Sequence, residues 1–381
     1  MNKNDFHAPE TGRIITTPQG YLAFIPSPLP PEIKYTPEVV LSLSSADAAL
    51  SELSGLGKYL PNPHLLTDTY IRQEAVLSSR IEGTRTEISD IWLEEFNPKK
   101  NEEKNPDLHE VNNCIVAMEY GIQRLSELPL SLRLIREIHE KLMKGVRGDQ
   151  ATPGEFRRSQ NWIGPAGSTL SNAPYVPPTP EEMKSCLANW EDFLQNRNQF
   201  PYLIQCALLH EQFEAIHPFL DGNGRVGRLL ITLFLIDRER LSLPLLYLST
   251  YFEAHRQEYY TYLQKVKTEG DWNNWILFFL NGVTETAHQA ARQATQITAL
   301  RERYMKDLRE KPKAVALIDP LFKNPYITIA RATKLLNITH PTARQAIKVL
   351  EDAGVLQEVT GREWGRIYKA NEISNVIENP D

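Results

Sequence analysis

The sequence predicts a mainly α protein of several domains, in which a helical bundle carries one β-hairpin flap, a proline-rich arm precedes it and a winged helix follows. Helical spacing of apolar residues dominates from Asp107 onward, the stretch Gly154 to Pro178 interrupts it with a Gly/Ser/Asn-rich tip, and the residues beyond Lys311 change to two short amphipathic helices and a hairpin. At 381 residues, and with about 150 residues in an average domain, two or three units are expected. The expected boundaries fall at 1–106, 107–294, 295–311 and 312–381.

In the arm, Thr17-Pro18-Gln19-Gly20 is a turn, and Ile25 to Pro31 has to be extended because its prolines fix φ and remove donors. A short helix is expected over Pro37 to Leu53, broken by Gly55-Leu56-Gly57. From Asp68 to Glu82 the spacing of Ile71, Ala75, Leu77 or Ser78, and Ile81 fits one helix with Gly83 as its terminator. Further helices are expected over Leu108 to Leu125, Ser131 to Lys144, Pro180 to Asn196, Leu203 to Ile216, Gly224 to Arg238, Thr250 to Glu269 and Trp272 to Met305. Between them, Trp162-Ile163-Gly164-Pro165 and Tyr175-Val176-Pro177-Pro178 flank an irregular β-flap. Thr295 to Arg309 reads as a charged helical connector. Beyond it, Ile327 to Leu336, Asn337-Ile338-Thr339-His340, Pro341 to Ala353, and a hairpin turning at Gly361 give the winged-helix layout.

Hydrophobic residues at 41% and charged residues at 24% exclude wholesale disorder and fibrous classes. The apolar runs Leu229 to Ile236 and Trp275 to Leu280 fall far short of the ~20 residues that cross a bilayer, and Met1 to Gly12 shows no secretory signal. No membrane partner and a cytoplasmic location are therefore expected. Cys114, Cys186 and Cys206 are widely separated and lack CxxC spacing, which argues against a disulfide framework or a cysteine zinc site. A net charge of -6 gives no global pull toward nucleic acid.

The chemistry-bearing stretch is His217-Pro218-Phe219-Leu220-Asp221-Gly222-Asn223-Gly224-Arg225-Val226-Gly227-Arg228. Gly222, Asn223 and Gly224 permit positive φ and close backbone approach, and the apolar run after Arg228 begins a buried helix. The loop therefore feeds a helix N-terminus, whose unpaired N–H groups and partial positive charge suit phosphate. Arg225 and Arg228 share nearly one face of the first turn, where cations oppose the helix dipole unless an anion is present. Asp221 is a hard oxygen donor suited to Mg²⁺ bridging phosphates. His217, with an ordinary pKa of about 6.5, suits removal of a hydroxyl proton. Alone, a histidine before proline is a common helix end, and Asp-Gly-Asn-Gly is a common turn. A calcium loop would need acidic residues where Gly222, Gly224 and Val226 stand.

His217 to Arg228 resembles the HxFx(D/E)GNGRxxR signature of Fic-domain proteins, with every specified position present, and the likeness extends from roughly Asp68 to Leu280. The resemblance implies a Fic-type helical bundle and the family's usual activity, transfer of AMP from ATP to a hydroxyl of a target protein. It makes His217 the base that deprotonates Ser, Thr or Tyr for attack on the α-phosphate, and Asp221 the Mg²⁺ ligand. Gly222, Asn223 and Gly224 would hold phosphate oxygens, Arg225 and Arg228 the outer phosphates, and Phe219 would anchor the loop in the core. The Gly-Asn-Gly-Arg sequence matches the AMP-transferring majority, whereas a kinase-like branch has lysine where Gly224 stands. The flap, Ser159 to Val176, is similar to the family's target-docking hairpin, which aligns an extended segment by strand addition. Ile163 and Gly164 fall where such a flap lies against nucleotide. Tyr259 and Tyr260 either resemble an adenine-pocket pair or simply pack, and Lys267 stands where some relatives carry asparagine.

Ser78 and Glu82 lie four apart on one helix face, and a carboxylate in the last turn stands at the negative end of the dipole, where it calls for a cation. Ser78-Ser79-Arg80-Ile81-Glu82-Gly83 resembles the family's inhibitory motif, (S/T)xxxE(G/N), in the version that precedes the catalytic core. That implies a Glu82–Arg228 pair in the position the γ-phosphate needs. A charge-assisted pair of ~1.5 to 3 kcal/mol would suppress productive ATP binding by roughly ten- to a hundredfold.

Two other readings remain open. Hydrolytic removal of AMP would use the same site with Glu82 positioning water. A regulator acting through the winged helix would present His340, Thr342, Arg344, Gln345 and Lys348 to a major groove, with Arg362 and Arg366 reaching phosphates. Lys313 to Asp381 holds nine basic and eight acidic residues, without the charge excess that drives tight DNA binding, so protein contact or homo-oligomerisation is an equal candidate.

Overall fold

The computed structural model describes residues 1–59, 64–96, 105–146, 152–165 and 167–378. The arm is more regular than its prolines suggest. Strands β1 (Gly12–Thr16) and β2 (Leu22–Pro26) pair antiparallel, with Gly12 opposite Pro26 and Thr16 opposite Leu22. Their turn closes at Gly20, whose φ of 87° only glycine adopts without strain. The hairpin is tied down at several points: Phe24 N–H donates to Val176 O of the flap at 2.9 Å, and His7 N–H to Thr268 O at 2.7 Å.

The first helix, α1 (Pro37–Tyr59), runs straight through Gly55 and Gly57 instead of breaking there. A Cβ at Gly57 would lie 2.9 Å from Leu245 Cδ1 and 3.0 Å from Ser242 Oγ, so that glycine lets a neighbouring loop approach the helix. Ser242 N–H donates to Ser54 Oγ at 3.2 Å and Ser242 Oγ to Ser54 O at 3.1 Å on the same surface. Close packing has outweighed the ~1 kcal/mol helix penalty of each glycine.

Helices α2 (His64–Ile81), α3 (Ile88–Glu94), α4 (Pro106–Arg124) and α5 (Leu132–Leu142) follow. After the flap come α6 (Pro180–Gln195), α7 (Tyr202–Ile216) and α8 (Asn223–Asp237). α7 is buried at every position from Leu203 to Ile216, which marks it as the centre of the bundle, and α8 packs against it, α5, α4 and α2. The flap is looser than a β-hairpin: one antiparallel bridge, Ile163 with Tyr175, closes it among the described residues, and Trp162 Nε1 donates to Ser168 O at 2.9 Å. The helix expected over Thr250 to Glu269 is interrupted at His255, giving α9 (Ser249–Ala254) and α10 (Arg256–Glu269).

α11 (Trp272–Asp307) continues without interruption through the expected connector and lies along α1. Its apolar stripe persists past residue 294, at Ile297, Leu300 and Tyr304, so there is no flexible joint there. α12 (Pro312–Lys323), β3 (Tyr326–Thr328), α13 (Ile329–Leu336), α14 (His340–Asp352), β4 (Gln357–Glu358), β5 (Ile367–Lys369) and α15 (Asn371–Glu378) complete the chain. The sheet has the order β3-β5-β4, antiparallel throughout, with Tyr326 and Gln357 both opposite Lys369. This unit is docked on α2: Thr69 Oγ1 donates to Phe322 O at 3.4 Å, Gln73 Nε2 to Ile377 O at 2.5 Å, and Lys323 pairs with Asp68 at 2.9 Å. All three cysteines are free and buried. No helix among the described residues is long and apolar enough to cross a membrane.

Candidate active site

The α7–α8 connection is held in a conformation that residues alone would not choose. His217 ends α7 at φ 50°, ψ 60°, the left-handed region, which costs a non-glycine residue of order 1 kcal/mol. Hydrogen bonds from the flap base enforce it. Arg157 Nε donates to His217 O at 2.9 Å, Arg157 N–H to Pro218 O at 2.9 Å, and Asn161 Nδ2 to Phe219 O at 2.8 Å. Arg157 is buried and donates only to carbonyl oxygens, including Ser159 O and Pro178 O; burial pulls its pKa down to about 10, with Tyr175 acting in the other direction.

Phe219 is fully buried and stacks on the His139 imidazole, with centroids 3.7 Å apart and planes 5° from parallel. His139 Nδ1 accepts the Gly154 N–H at 2.8 Å, so Nε2 carries the proton and donates to Asp221 O at 3.1 Å. Burial lowers the His139 pKa to about 4 against the favourable Asp221 contacts, and the ring is neutral. Asn223 closes the loop from the other side. Its Oδ1 accepts Phe219 N–H at 2.8 Å and its Nδ2 donates to Phe219 O at 2.9 Å. Asn223, expected to hold phosphate, lines the cleft while its side chain engages the N–H and the C=O of Phe219.

A cleft of about 440 Å³ opens over this loop, lined among others by Glu82, Thr84, Glu110, His217, Asp221 and Arg225. His217 is half-buried at its floor. Burial lowers its pKa to about 4, reinforced by Arg157 and opposed by the Glu214 carbonyl and the Glu82 charge, so the imidazole is in its proton-accepting form at neutral pH. Gly222 enters α8 at φ 75°, where a Cβ would also meet Met143 Sδ at 2.9 Å. A Cβ on Gly224 would fall 2.2 Å from Glu82 Oε1, which shows how closely that carboxylate covers the N-terminus of α8.

The two arginines of that first turn have different partners. Arg228 NH2 donates to Glu82 Oε1 at 2.6 Å and to Ser78 O at 2.9 Å, while its Nε donates to Ser78 Oγ at 2.9 Å. Burial raises the Glu82 pKa, but the Arg228 charge and hydrogen bond, aided by Arg225 and His217, more than offset it and hold the carboxyl below its ordinary value. Gly83, at φ 105°, ends this segment just after Glu82. Arg225, expected to meet outer phosphates, lines the same cleft and donates from NH1 to Glu110 Oε2 at 3.1 Å; its NH2 is 3.7 Å from Asp221 Oδ1.

Ile163, Gly164, Tyr259 and Tyr260 do not line the cleft. Ile163 is on the exposed side of the flap, and a Cβ on Gly164 would strike Ser168 Oγ at 2.6 Å. Tyr259 takes the packing alternative: its buried ring stacks on Phe252 at 4.5 Å and its hydroxyl lies 2.9 Å from His210 Nε2. Tyr260 is exposed, with Arg256 5.9 Å from its ring centroid.

The Asp221 side chain is 49% exposed at the cleft and its Oδ1 accepts Gly222 N–H at 2.6 Å. One accessible carboxylate is what Mg²⁺ needs from a protein when substrate phosphates and waters complete its shell. Among the described residues no three His, Cys, Asp or Glu side chains form a metal cluster. Sequence reasoning missed Arg157, Asn161, His139 and Glu110. The available signal for Arg157 was the turn at Thr152-Pro153-Gly154 just before it; Glu110 left none, since a glutamate in an amphipathic helix usually faces water.

The helical bundle brings a histidine and the N-terminus of α8, with Arg225 in its first turn, to one cleft. Residues 40–123 match the family model described as Fic/DOC family N-terminal, and residues 129–235 match the Fic/DOC family model. The chain belongs to the Fic/DOC family. It is 33% identical over 159 residues to the protein adenylyltransferase Fic of Aedes aegypti, covering 41% of this chain and 28% of that protein. It is 27% identical over 195 residues to a probable protein adenylyltransferase of Aquifex aeolicus, covering 50% of this chain and 55% of that protein. The matched region is thus less than two thirds of either relative. In fold it is similar to a Fic family protein from Desulfovibrio desulfuricans, with TM-score 0.59, 21% identity and coverage of 90% of this chain and 98% of that one. It is also similar to Fic-1 from C. elegans, with TM-score 0.51, 19% identity and coverage of 70% and 75%.

Proposed function

We propose that this chain transfers AMP from ATP to a side-chain hydroxyl of a protein target and that Glu82 holds the activity low. The observation that carries the proposal is the placement of His217, Asp221 and the α8 N-terminus around one cleft whose anion position a protein carboxylate already fills. In the reaction, neutral His217 takes the hydroxyl proton, the oxygen attacks the α-phosphorus, and the bond to the departing pyrophosphate breaks. The low His217 pKa keeps the ring ready to accept, and the triphosphate charge would raise its basicity once bound. The Gly222 to Gly224 backbone and Arg228 hold phosphate oxygens. Mg²⁺, held by Asp221 and the phosphates, would neutralise charge on the leaving group.

Glu82 sits where those phosphates belong. Its bond to Arg228 belongs to the class of charge-assisted contacts at ~1.5 to 3 kcal/mol, and its partial exposure puts it at the lower end, roughly a tenfold suppression. The flap from Ser159 to Val176 offers its backbone to an extended target segment. The domain limits are read as 1–106, 107–294, a helical linker over 295–311, and 312–381, the last as a winged helix, in a protein working in the cytoplasm. With labelled ATP, Glu82→Gly is expected to raise self-modification and the added His217→Ala to abolish it; intact-mass measurement should show a gain of ~329 Da, the AMP moiety. Labelling that persists without His217 would refute its role as the base.

A further inference from the structure

The C-terminal unit is close to electrically neutral, but its charges are not evenly spread. Asp319 and Glu372 are engaged away from α14, on Arg301 at 2.6 Å and on Tyr304 Oη at 2.7 Å, whereas Glu358 caps the β4–β5 loop by accepting the N–H groups of Thr360 and Gly361. Glu351 and Asp352 lie at the far end of α14 from His340. The face between α14 and the β4–β5 loop is left with a surplus of cations.

On α14 the residues Thr342, Arg344, Gln345 and Lys348 are exposed with His340, while Ala343, Ala346, Ile347 and Leu350 are buried. One helix side thus packs on the unit and the other is a polar, basic stripe. Across a groove of about 570 Å³, lined by His340 and Arg344 on one wall, the β4–β5 loop contributes Arg362, Trp364 and Arg366. Glu363 is the one acidic residue among those lining it. Trp364 is 86% exposed at the tip of the loop, an unusual place for an indole on a surface that binds nothing.

We propose that this face binds double-stranded DNA, with α14 in the major groove and the β4–β5 loop on the flanking backbone. A B-form major groove is about 12 Å wide and admits a helix, whereas the A-form groove of duplex RNA is too narrow for side chains to read. Arg344 and Gln345 are chemically suited to base edges, Lys348, Arg362 and Arg366 to phosphates, and Trp364 to apolar contact in the neighbouring groove. Overall negative charge elsewhere on the chain repels DNA and favours approach by this face.

The test uses the full chain and fluorescence anisotropy with a mixed-sequence DNA duplex and an RNA duplex of the same sequence. DNA is expected to bind at low salt and to weaken steeply between about 50 and 200 mM salt, as counterion release requires. Arg344→Glu with Arg362→Glu should lose at least tenfold in affinity and lower the salt slope by about 1, while Lys184→Glu on α6 should leave both unchanged. Trp364→Ala, a milder change that keeps the charge, should weaken binding with an unaltered slope. Absence of DNA binding at low salt, equal binding of the RNA duplex, or equal losses in the Lys184→Glu control would each overturn the proposal. AMP labelling by the Glu82→Gly protein is expected to survive Arg344→Glu, so the DNA-binding face and the transfer site can fail separately.

Discussion

Arg225 and Arg228 stand three residues apart on the same buried turn of α8, and each has a glutamate from another helix or its end, yet the two pairs are built for different tasks. Glu110 lies within α4, its side chain 10% exposed, and closes on Arg225 inside the bundle. Glu82 follows the last turn of α2, its side chain 37% exposed, next to a glycine that ends the segment. A buried pair with both members locked in helices cannot open without leaving a charge in the core. A pair with one member just past a helix end and partly exposed can open while Arg228, itself 1% exposed, keeps its two Ser78 contacts. The difference separates a structural ion pair from one that an incoming anion could displace.

The largest effect should come from breaking the inner pair. Glu110→Ala leaves the Arg225 guanidinium buried without that partner and is expected to cost ~3 to 5 kcal/mol, visible as a fall in thermal midpoint and in soluble yield. Glu110→Leu with Arg225→Met should recover much of that stability. If Glu110→Ala is no less stable than the parent, the inner pair is not structural. The outer pair predicts the reverse pattern. Glu82→Gly should lower the thermal midpoint less than Glu110→Ala does, because Arg228 keeps its two Ser78 contacts, while labelling with ATP rises roughly tenfold, the ratio that corresponds to ~1.4 kcal/mol.

Ser78→Ala tests the rest of the clamp. It removes the acceptor of the Arg228 Nε proton at 2.9 Å, a neutral-acceptor bond worth ~1 kcal/mol. Labelling should rise a few-fold, less than with Glu82→Gly, and unchanged labelling would show that Ser78 has no part in holding Arg228. A further effect is a slope with pH. Burial raises the Glu214 pKa from 4.5 to about 7, against the lowering influence of Arg228. A carboxyl whose folded-state pKa lies above its unfolded value binds extra protons on folding. Its contribution is therefore most favourable at the acid end, declines as pH rises toward about 7, and is flat above that. Glu214→Gln should remove this part of the pH dependence of the thermal midpoint. Glu82, held below its ordinary value, has the opposite sign: its contribution is present above the ordinary carboxyl pKa and disappears only under more acidic conditions.

Much of the helical framework was legible because burial imposes a period on the sequence. α8 and the glycine-bearing turn before it follow from an apolar run and from two glycines around an asparagine, whereas α7, buried on every side, carries an apolar content without an amphipathic period. The proximity of Glu82 and Arg228, separated by 146 positions, was reached through resemblance and not through spacing. The passage of α1 through two glycines was not legible, since only the neighbouring Ser242 to Leu245 loop shows why a missing Cβ is useful there. Nor was the fate of Asn223, whose side chain looks equally fit for phosphate or for a peptide until Phe219 is folded beneath it.

By itself the sequence determined most of the long helices of the bundle, where the chain turns around Gly222, and which side chains of the His217 to Arg228 stretch carry charge, while the helices at Ile88–Glu94, Pro312–Lys323 and Asn371–Glu378 were not read from it. Those properties depend on residue type and local period, which are written along the chain. Only the tertiary structure decided that Arg225 is satisfied by Glu110, that Tyr259 is core, and that the basic residues of α14 and the β4–β5 loop share one face. Each depends on which distant groups meet, and a charge or an aromatic ring has the same letter whether it is buried against a partner or left facing water.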